Sequence, residues 1–82
     1  MDVILSQNAR KQYEHLPTSE QAKIKKKLFA LKQNPSAGKK LTGELSGICS
    51  LRAWPYRILY EINKAKARIE VHKIAHRQGV YK

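Results

Sequence analysis

The side chains with the clearest chemical potential are basic, and they lie in the second half of the chain. They are Arg52, Arg57, His72, His76, Arg77 and Lys82, and Tyr81 stands beside the last of them. Guanidinium groups bind phosphate through a planar fork, and aromatic or guanidinium planes stack on unpaired bases. If folding brings these residues together, the pattern favours RNA binding.

Metal and thiol chemistry have little support in the sequence. The aspartate, glutamate and histidine residues show no metal-ligand spacing, so we expect no metal site and no cofactor. Cys49 is the sole cysteine, which excludes an internal disulfide and a four-cysteine zinc site. Its apolar neighbours favour a buried structural thiol over a nucleophile.

The composition indicates one small domain, residues 1–82, with a strong positive charge. Seventeen lysines and arginines stand against six aspartates and glutamates, giving a net charge of +11. Such an excess destabilises a fold by self-repulsion unless an anionic partner uses it. Nucleic acid and acidic protein segments are the favoured partners, because no helix pairs the broad apolar face and basic face that a membrane surface requires. With no signal peptide and no membrane-length apolar run, we expect a cytoplasmic location.

The start of the chain is typical of a strand followed by a helix. Residues 3–5 are a short apolar run, and residues 7–15 suit a helix that Pro17 ends. Thr18 or Ser19 can then cap a second helix, because both side chains offer an acceptor oxygen to the first turn. Two helices separated by a proline turn predict a helical hairpin.

The second helix is predicted to end at Asn34-Pro35, before a loop-like segment over residues 35–47. Lysines alternate with apolar residues along this helix in a pattern that leaves one side for the core. The predicted apolar stripe is Ala22, Ile24, Leu28, Phe29 and Leu31.

After the loop, the period of the apolar residues changes to two. Alternation over residues 49–53, 56–62 and 67–72 predicts three strands joined by the turns 54–55 and 63–66. The element order is therefore β-α-α-β-β-β. This is an α+β fold, in which an N-terminal strand and a helix hairpin pack on one face of a small, mainly antiparallel sheet.

The turn lengths predict which side chains meet across the strands. A two-residue turn at Trp54-Pro55 places Arg52 opposite Arg57, and a four-residue turn over 63–66 places Arg57 opposite His72. Like charges directly opposite each other are unfavourable on a sheet. The predicted row of Arg52, Arg57 and His72 therefore indicates an anion site. On the other face, the predicted core residues are Cys49, Leu51, Ile58, Tyr60, Ile69 and Val71.

These strands also carry a family resemblance. The motif Leu51-Arg52-x-x-x-Tyr56-Arg57-Ile58-Leu59-Tyr60-Glu61-Ile62, the ending His76-Arg77-x-x-Val80-Tyr81 and the lead-in Lys40-Leu41-x-Gly43-x-Leu45-x-Gly47 resemble the RelE-type toxins of the RelE/ParE superfamily. The Tyr-Arg-x-x-Tyr strand is shared by both branches of that superfamily, and the His-Arg…Val-Tyr ending is closer to RelE. The resemblance spans nearly the whole chain.

The resemblance implies a ribosome-dependent endoribonuclease that cuts mRNA without a metal and is silenced by a cognate antitoxin. It implies that Arg57 grips phosphate, that Arg77 stabilises the transition state, and that Tyr81 stacks on the nucleotide and assists proton transfer. Arg52 matches a further family arginine, and the basic ending adds Lys82 as a phosphate contact. Contact with operator DNA is implied only indirectly, through the antitoxin complex.

The sequence departs from the family pattern on the second strand of the meander. Ile48 and Ser50 stand where the best-known members carry basic residues that activate the nucleophile and hold phosphate. His72 and His76 are the substitutes that the sequence offers, because histidine is readily poised near neutral pH. Two other functions stay open: a ParE-like toxin that poisons DNA gyrase, and a non-catalytic RNA-binding relative. For Trp54, base stacking and a role as a hairpin clamp both stay open.

Overall fold

The computed structural model describes residues 1–41, 43 and 47–76, which form two helices packed on one mixed sheet. Its elements in chain order are β1 (Asp2–Leu5), α1 (Gln7–Glu14), α2 (Thr18–Gln33), a one-turn 3-10 segment (Pro35–Ala37), β2 (Lys39–Lys40), β3 (Cys49–Ala53), β4 (Tyr56–Asn63) and β5 (Arg68–His76). The strand order in the sheet is β1-β5-β4-β3-β2. β1 runs parallel to β5, and the other pairs are antiparallel. The predicted α+β fold is confirmed, with one additional short strand.

The first helix is tied to the sheet at its N-terminus. The Ser6 hydroxyl accepts a hydrogen bond from the Ala9 amide at 3.0 Å and donates one to the His72 carbonyl at 3.0 Å. The Ser6 amide donates to the Val71 carbonyl at 2.9 Å. One side chain therefore caps α1 and anchors it to the middle of β5, as its position before the helix favours.

The second helix begins in a different way from the one predicted. Its N-cap is Pro17, and neither Thr18 nor Ser19 caps it, because both already lie within the helix. The carbonyl of Pro17 accepts from the amides of Glu20 and Gln21, each at 2.9 Å. A proline suits this position, since it has no amide to leave unpaired and its dihedrals are extended there.

The core lies between the helices and one face of the sheet, which we call the helix face. Among the described residues the buried hydrophobic side chains include Ala9, Ile24, Leu31, Cys49, Ala53, Ile58, Tyr60, Ile69, Val71 and Ile74. Cys49 is buried as expected. The predicted stripe of α2 is wrong for Ala22 and Phe29, which are exposed. Phe29 comes five residues after Ile24, so it points about 140° away from the buried side of the helix.

The register between β3 and β4 is the predicted one. Ala53 pairs with Tyr56, Leu51 with Ile58, and Arg52 with Arg57, around a turn at Trp54-Pro55. Arg52 and Arg57 therefore share the face away from the helices, which we call the arginine face. Ser50 and Leu59, which pair with each other, lie on this face as well.

The predicted register between β4 and β5 is wrong. Asn63 pairs with Arg68 around a loop over residues 64–67, in which Ala67 has a φ of 51°. A bulge follows, because Tyr60 pairs with Val71 and Leu59 with Lys73, leaving His72 as the extra residue. The residue opposite Arg57 is consequently Ala75, not His72.

The bulge has a clear physical reason in the composition of β5. Strict alternation after Val71 would bring the ammonium group of Lys73 into the core. The extra residue turns Ile74 inward instead, where it pairs with Ile58 and is 4% exposed. Apolar burial therefore determines the register in the second half of the strand.

The short strand β2 lies within the segment predicted to be a loop. Lys39 pairs with Ser50 and Lys40 with Cys49, and the Leu41 amide donates to the Ile48 carbonyl at 2.9 Å. The preceding turn is attached to the core by Tyr60. None of the helices in the described residues is long and apolar enough to cross a membrane.

The fully buried Tyr60 hydroxyl accepts from the Gly38 amide at 2.9 Å and donates to the Pro35 carbonyl at 3.0 Å. Burial raises the pKa of this phenol, which keeps it a neutral donor. A Cβ atom at residue 38 would collide with the Tyr60 hydroxyl, so this close approach requires glycine.

Candidate nucleic-acid interface

A cavity of about 830 Å³ lies beside β3, of which β2 covers only the first two residues. We call this cavity the basic recess. Its lining includes five cationic side chains drawn from four elements: Lys23, Lys27, Lys39, Arg52 and Arg57. Because these elements are distant in sequence, only the folded chain assembles the positive charge. Its remaining lining residues are Ala37, Leu41, Ser50, Leu51, Ala53 and Trp54.

The two arginines of the recess are positioned by the β3–β4 hairpin. They lie directly opposite each other, with Arg52 exposed and Arg57 half-buried. Within the described residues, no carboxylate forms an ion pair with Arg52. Opposed like charges cost stability, and a bound anion would offset that cost.

Lys39 is the recess residue that the sequence interpretation missed. It lies opposite Ser50 and so projects its charge on the arginine face. Ser50 itself is 5% exposed, and its hydroxyl has no hydrogen-bond partner within the described residues. The sequence signal is the run Lys39-Lys40-Leu41 after Gly38, which is too short to show the alternation of a strand.

Trp54, which is 58% exposed, also lines the recess. The Lys23 ammonium donates to the Trp54 carbonyl at 3.1 Å and pairs with the Glu20 carboxylate at 3.3 Å. The hairpin tip is thus tied to α2, and the indole stands beside the cations. Base stacking next to a phosphate site is the chemistry that this arrangement offers.

The structure does not bring His72 to the arginines. Its Nε2 atom lies 3.1 Å from a carboxylate oxygen of Glu61, toward the other end of the sheet. Arg68 and Glu70 form a second ion pair in that region, at 2.8 Å. The hydrogen bond from Arg68 lowers the pKa of the Glu70 carboxyl. The charges at this end of the sheet are therefore compensated by neighbouring side chains.

His76 is the last described residue of β5, and it pairs with Tyr56. The two rings are 5.5 Å apart between centroids and nearly perpendicular, at 89°. Because Tyr56 and Arg57 are consecutive, their strand positions face opposite sides of the sheet. His76 thus ends beside the arginine-bearing hairpin but on the helix face.

Three predicted site residues, Arg77, Tyr81 and Lys82, lie outside the described residues, and their roles stay predictions. The described chain reaches residue 76 directly beside the first residues of β4. Among the described residues, no three His, Cys, Asp or Glu side chains form a group that could hold a metal ion.

Fold and recess together define a small basic α+β domain of the RelE/ParE type. The chain belongs to the family of ParE toxins of type II toxin–antitoxin systems, whose family model matches residues 3–81. No curated protein matches the chain.

Solved structures of related toxins share this fold. One is the RelBE2 toxin–antitoxin complex from Mycobacterium tuberculosis, with 30% identity and a TM-score of 0.85, covering 92% of this chain and 95% of that one. Another is the YoeB/ParE toxin from Agrobacterium tumefaciens, with 23% identity and a TM-score of 0.81, covering 93% of this chain and 98% of that one. A third is the isolated RelE toxin from E. coli, with 24% identity and a TM-score of 0.76, covering 92% of this chain and 82% of that one. The predicted membership of the RelE/ParE superfamily is confirmed.

Proposed function

We propose that this toxin is a ribosome-dependent mRNA endoribonuclease whose active site is the basic recess. The observation that carries the proposal is the pairing of Arg52 with Arg57 inside a cavity lined by three further cations. No carboxylate from the described residues neutralises Arg52 there. Such a site matches a phosphodiester, whose charge increases during cleavage.

The proposed reaction is an internal displacement on RNA. The 2′-oxygen attacks the adjacent phosphorus and loses its proton to a base, while the bond to the 5′-oxygen breaks and that oxygen gains a proton. The products are a 2′,3′-cyclic phosphate and a free 5′-hydroxyl. Preorganised cations stabilise the pentacovalent transition state, and one such donor is typically worth roughly 3–4 kcal/mol.

The described residues suggest a division of labour within the recess. Arg57 is half-buried, so we assign its guanidinium to the scissile phosphate, where partial exclusion of water strengthens the contact. The exposed Arg52 suits a neighbouring phosphate. Arg77 as transition-state donor and Tyr81 for stacking and proton transfer complete the proposed site, whereas His76 lies against Tyr56 on the helix face.

The proposed partners follow from charge and from the relatives. The M. tuberculosis RelBE2 and E. coli RelBE structures are toxin–antitoxin complexes, and the Pyrococcus horikoshii structure is a RelE–RelB complex. With a net charge of +11, this chain suits an antitoxin that is acidic where it covers the basic recess. The same charge suits ribosomal RNA, for which phosphate contacts dominate affinity. Any contact with operator DNA is proposed to pass through the antitoxin.

A second candidate function is poisoning of DNA gyrase without RNA cleavage. The family model that matches residues 3–81 is that of ParE toxins. The absence of basic residues at Ile48 and Ser50 is consistent with that branch. Under this alternative, the basic recess would bind DNA or an acidic surface, and no RNA would be cut.

Primer extension on ribosome-bound message separates the two functions. The purified wild-type chain is expected to produce new 5′ ends within the message, and Arg57→Ala and Arg77→Ala are each expected to slow cleavage by ~10²–10³-fold. Arg68→Gln is the matched control, because it also removes a guanidinium but one that is paired with Glu70. An uncut message with the wild type would refute the nuclease, and full cleavage by both alanine variants would refute the basic recess as its active site.

A gyrase assay supplies the second arm. Supercoiling by purified gyrase, with the chain added, is expected to proceed normally and to leave no stabilised double-strand breaks. Breaks that depend on the chain, together with an uncut message, would support the gyrase alternative. RNA binding with neither cleavage nor breaks would indicate a non-catalytic relative.

A further inference from the structure

Lys39 brings an ammonium group into the basic recess from a strand that carries neither arginine. In β2, Lys39 pairs with Ser50 on the arginine face, whereas its neighbour Lys40 pairs with Cys49 on the helix face. Lys39 lines the basic recess, and Lys40 does not. Two adjacent lysines of equal charge therefore have different surroundings.

Ser50 supplies an independent observation at the same place. It is 5% exposed, it lines the recess, and its hydroxyl has no hydrogen-bond partner within the described residues. Buried hydroxyl groups in folded proteins are usually paired. An anion in the recess would supply the acceptor that this hydroxyl lacks.

We infer that Lys39 and Ser50 form a phosphate-binding subsite beside the arginine pair. Residues directly opposite each other have Cβ atoms about 4.5–5.5 Å apart, close enough for one phosphate group to contact both side chains. The Lys39 ammonium binds a non-bridging oxygen, and the Ser50 hydroxyl donates to the same group. The ligand is a phosphodiester of RNA, so the inference rests on the proposed nuclease function.

This geometry would let the chain hold phosphate near residue 50 of β3 without a basic residue at that position. Ser50 is buried and uncharged, so it brings a hydroxyl but no charge to this position. The paired strand, β2, carries a positive charge opposite Ser50 instead, at Lys39. Hydrogen bonds of the Tyr60 hydroxyl with Pro35 and Gly38 hold the turn before Lys39. They therefore fix the backbone position from which the Lys39 side chain extends.

The binding test uses a fluorescent 2′-O-methyl oligoribonucleotide, which cannot undergo internal attack. Lys39→Gln is expected to weaken its binding about tenfold and to reduce the slope of log affinity against log salt by about 0.7. Lys40→Gln is the matched control for the loss of one charge from β2. Equal affinities and equal slopes for these two variants would overturn the subsite.

Ser50→Ala provides a second, uncharged test. It is expected to weaken the oligonucleotide several-fold with no change in the salt slope, because no charge is lost. Should Lys39→Gln fail to fold, a Ser50→Ala variant with wild-type affinity would still overturn the proposal. A glutamate-rich peptide is the competing ligand: if Lys39→Gln weakens the peptide and leaves RNA binding intact, the subsite is not for RNA.

Cleavage measured in parallel separates the failure of the subsite from the failure of the nuclease. If the wild type cuts ribosome-bound message and Lys39→Gln matches Lys40→Gln in both assays, the subsite is wrong and the nuclease stands. If the wild type binds the oligonucleotide through Lys39 but cuts no message, the subsite stands and the nuclease is wrong. Failure of the wild type to bind the oligonucleotide would overturn the subsite.

Discussion

Arg52 and Arg57 occupy directly opposed positions on β3 and β4, so two guanidinium groups share one patch of the arginine face. Arg52 is exposed, and no carboxylate in the described residues pairs with it. The two positive charges repel each other here, although a glutamine in place of Arg52 would remove the repulsion. A site that sacrifices stability in this way is typical of ligand binding.

The first prediction follows from that repulsion. Arg52→Gln is expected to raise the free energy of unfolding by about 0.2–1 kcal/mol at low salt, because like charges across a sheet destabilise it. The same variant is expected to slow RNA cleavage. Urea denaturation and primer extension measure the two effects. A less stable variant would show that Arg52 serves the fold.

Trp54 provides the second prediction. Trp54→Ala is expected to weaken single-stranded RNA binding by roughly 1–3 kcal/mol, the usual contribution of one base stacked on an aromatic ring. Trp54→Phe should restore most of the loss. Phe29→Ala is the control, because Phe29 is also an exposed aromatic residue but lies outside the basic recess. Fluorescence anisotropy is the measurement, and equal losses at the two positions would contradict a stacking role.

The third prediction concerns the Tyr60 hydroxyl. Tyr60→Phe is expected to lower the free energy of unfolding by about 1–3 kcal/mol, because the Gly38 amide and the Pro35 carbonyl lose their partner in a buried site. Tyr13→Phe is the control, since the Tyr13 hydroxyl makes no hydrogen bond with a described residue. Urea denaturation should show a lower midpoint concentration, with an unchanged slope of the free energy of unfolding against urea concentration. Equal stability of the two variants would refute the structural role.

The fourth prediction is a pH dependence from the Arg68–Glu70 ion pair. Arg68 lowers the pKa of the Glu70 carboxyl below its ordinary value of 4.5. The contribution to stability is therefore fully present above pH 4.5 and is lost as the pH falls through the lower folded-state pKa. Urea midpoints of wild type and Glu70→Gln should converge over that acid range. A difference that stays constant with pH would show that the pair does not stabilise the fold.

Much of the site could be predicted because local turn chemistry determines the hairpin that carries it. Trp54-Pro55 places two residues between alternating strands, and this length alone brings Arg52 opposite Arg57. The core positions Cys49, Ile58 and Tyr60 follow from the same alternation. Local sequence was sufficient here, since the interacting residues are close along the chain.

The rest depends on tertiary packing, which periodicity does not report. The position of His72 depends on a loop shifted to residues 64–67 and on a bulge required by the burial of Ile74. The strand that carries Lys39 has only two residues, and the turn before it is held by the distant Tyr60. Neither feature can be deduced from the local pattern of apolar and polar residues.

The bulge at His72 also has a consequence for hybrid proteins made from related toxins. Upstream of residue 72 the odd-numbered Ile69 and Val71 point into the core, whereas downstream of it the even-numbered Ile74 does. Consider a chimera that joins this chain, inside β5, to a relative without the extra residue. In its two halves, the alternation of core-facing and outward-facing side chains would be out of step by one residue. Crossover points for such hybrids should therefore lie outside the strand, where the parental halves stay in phase.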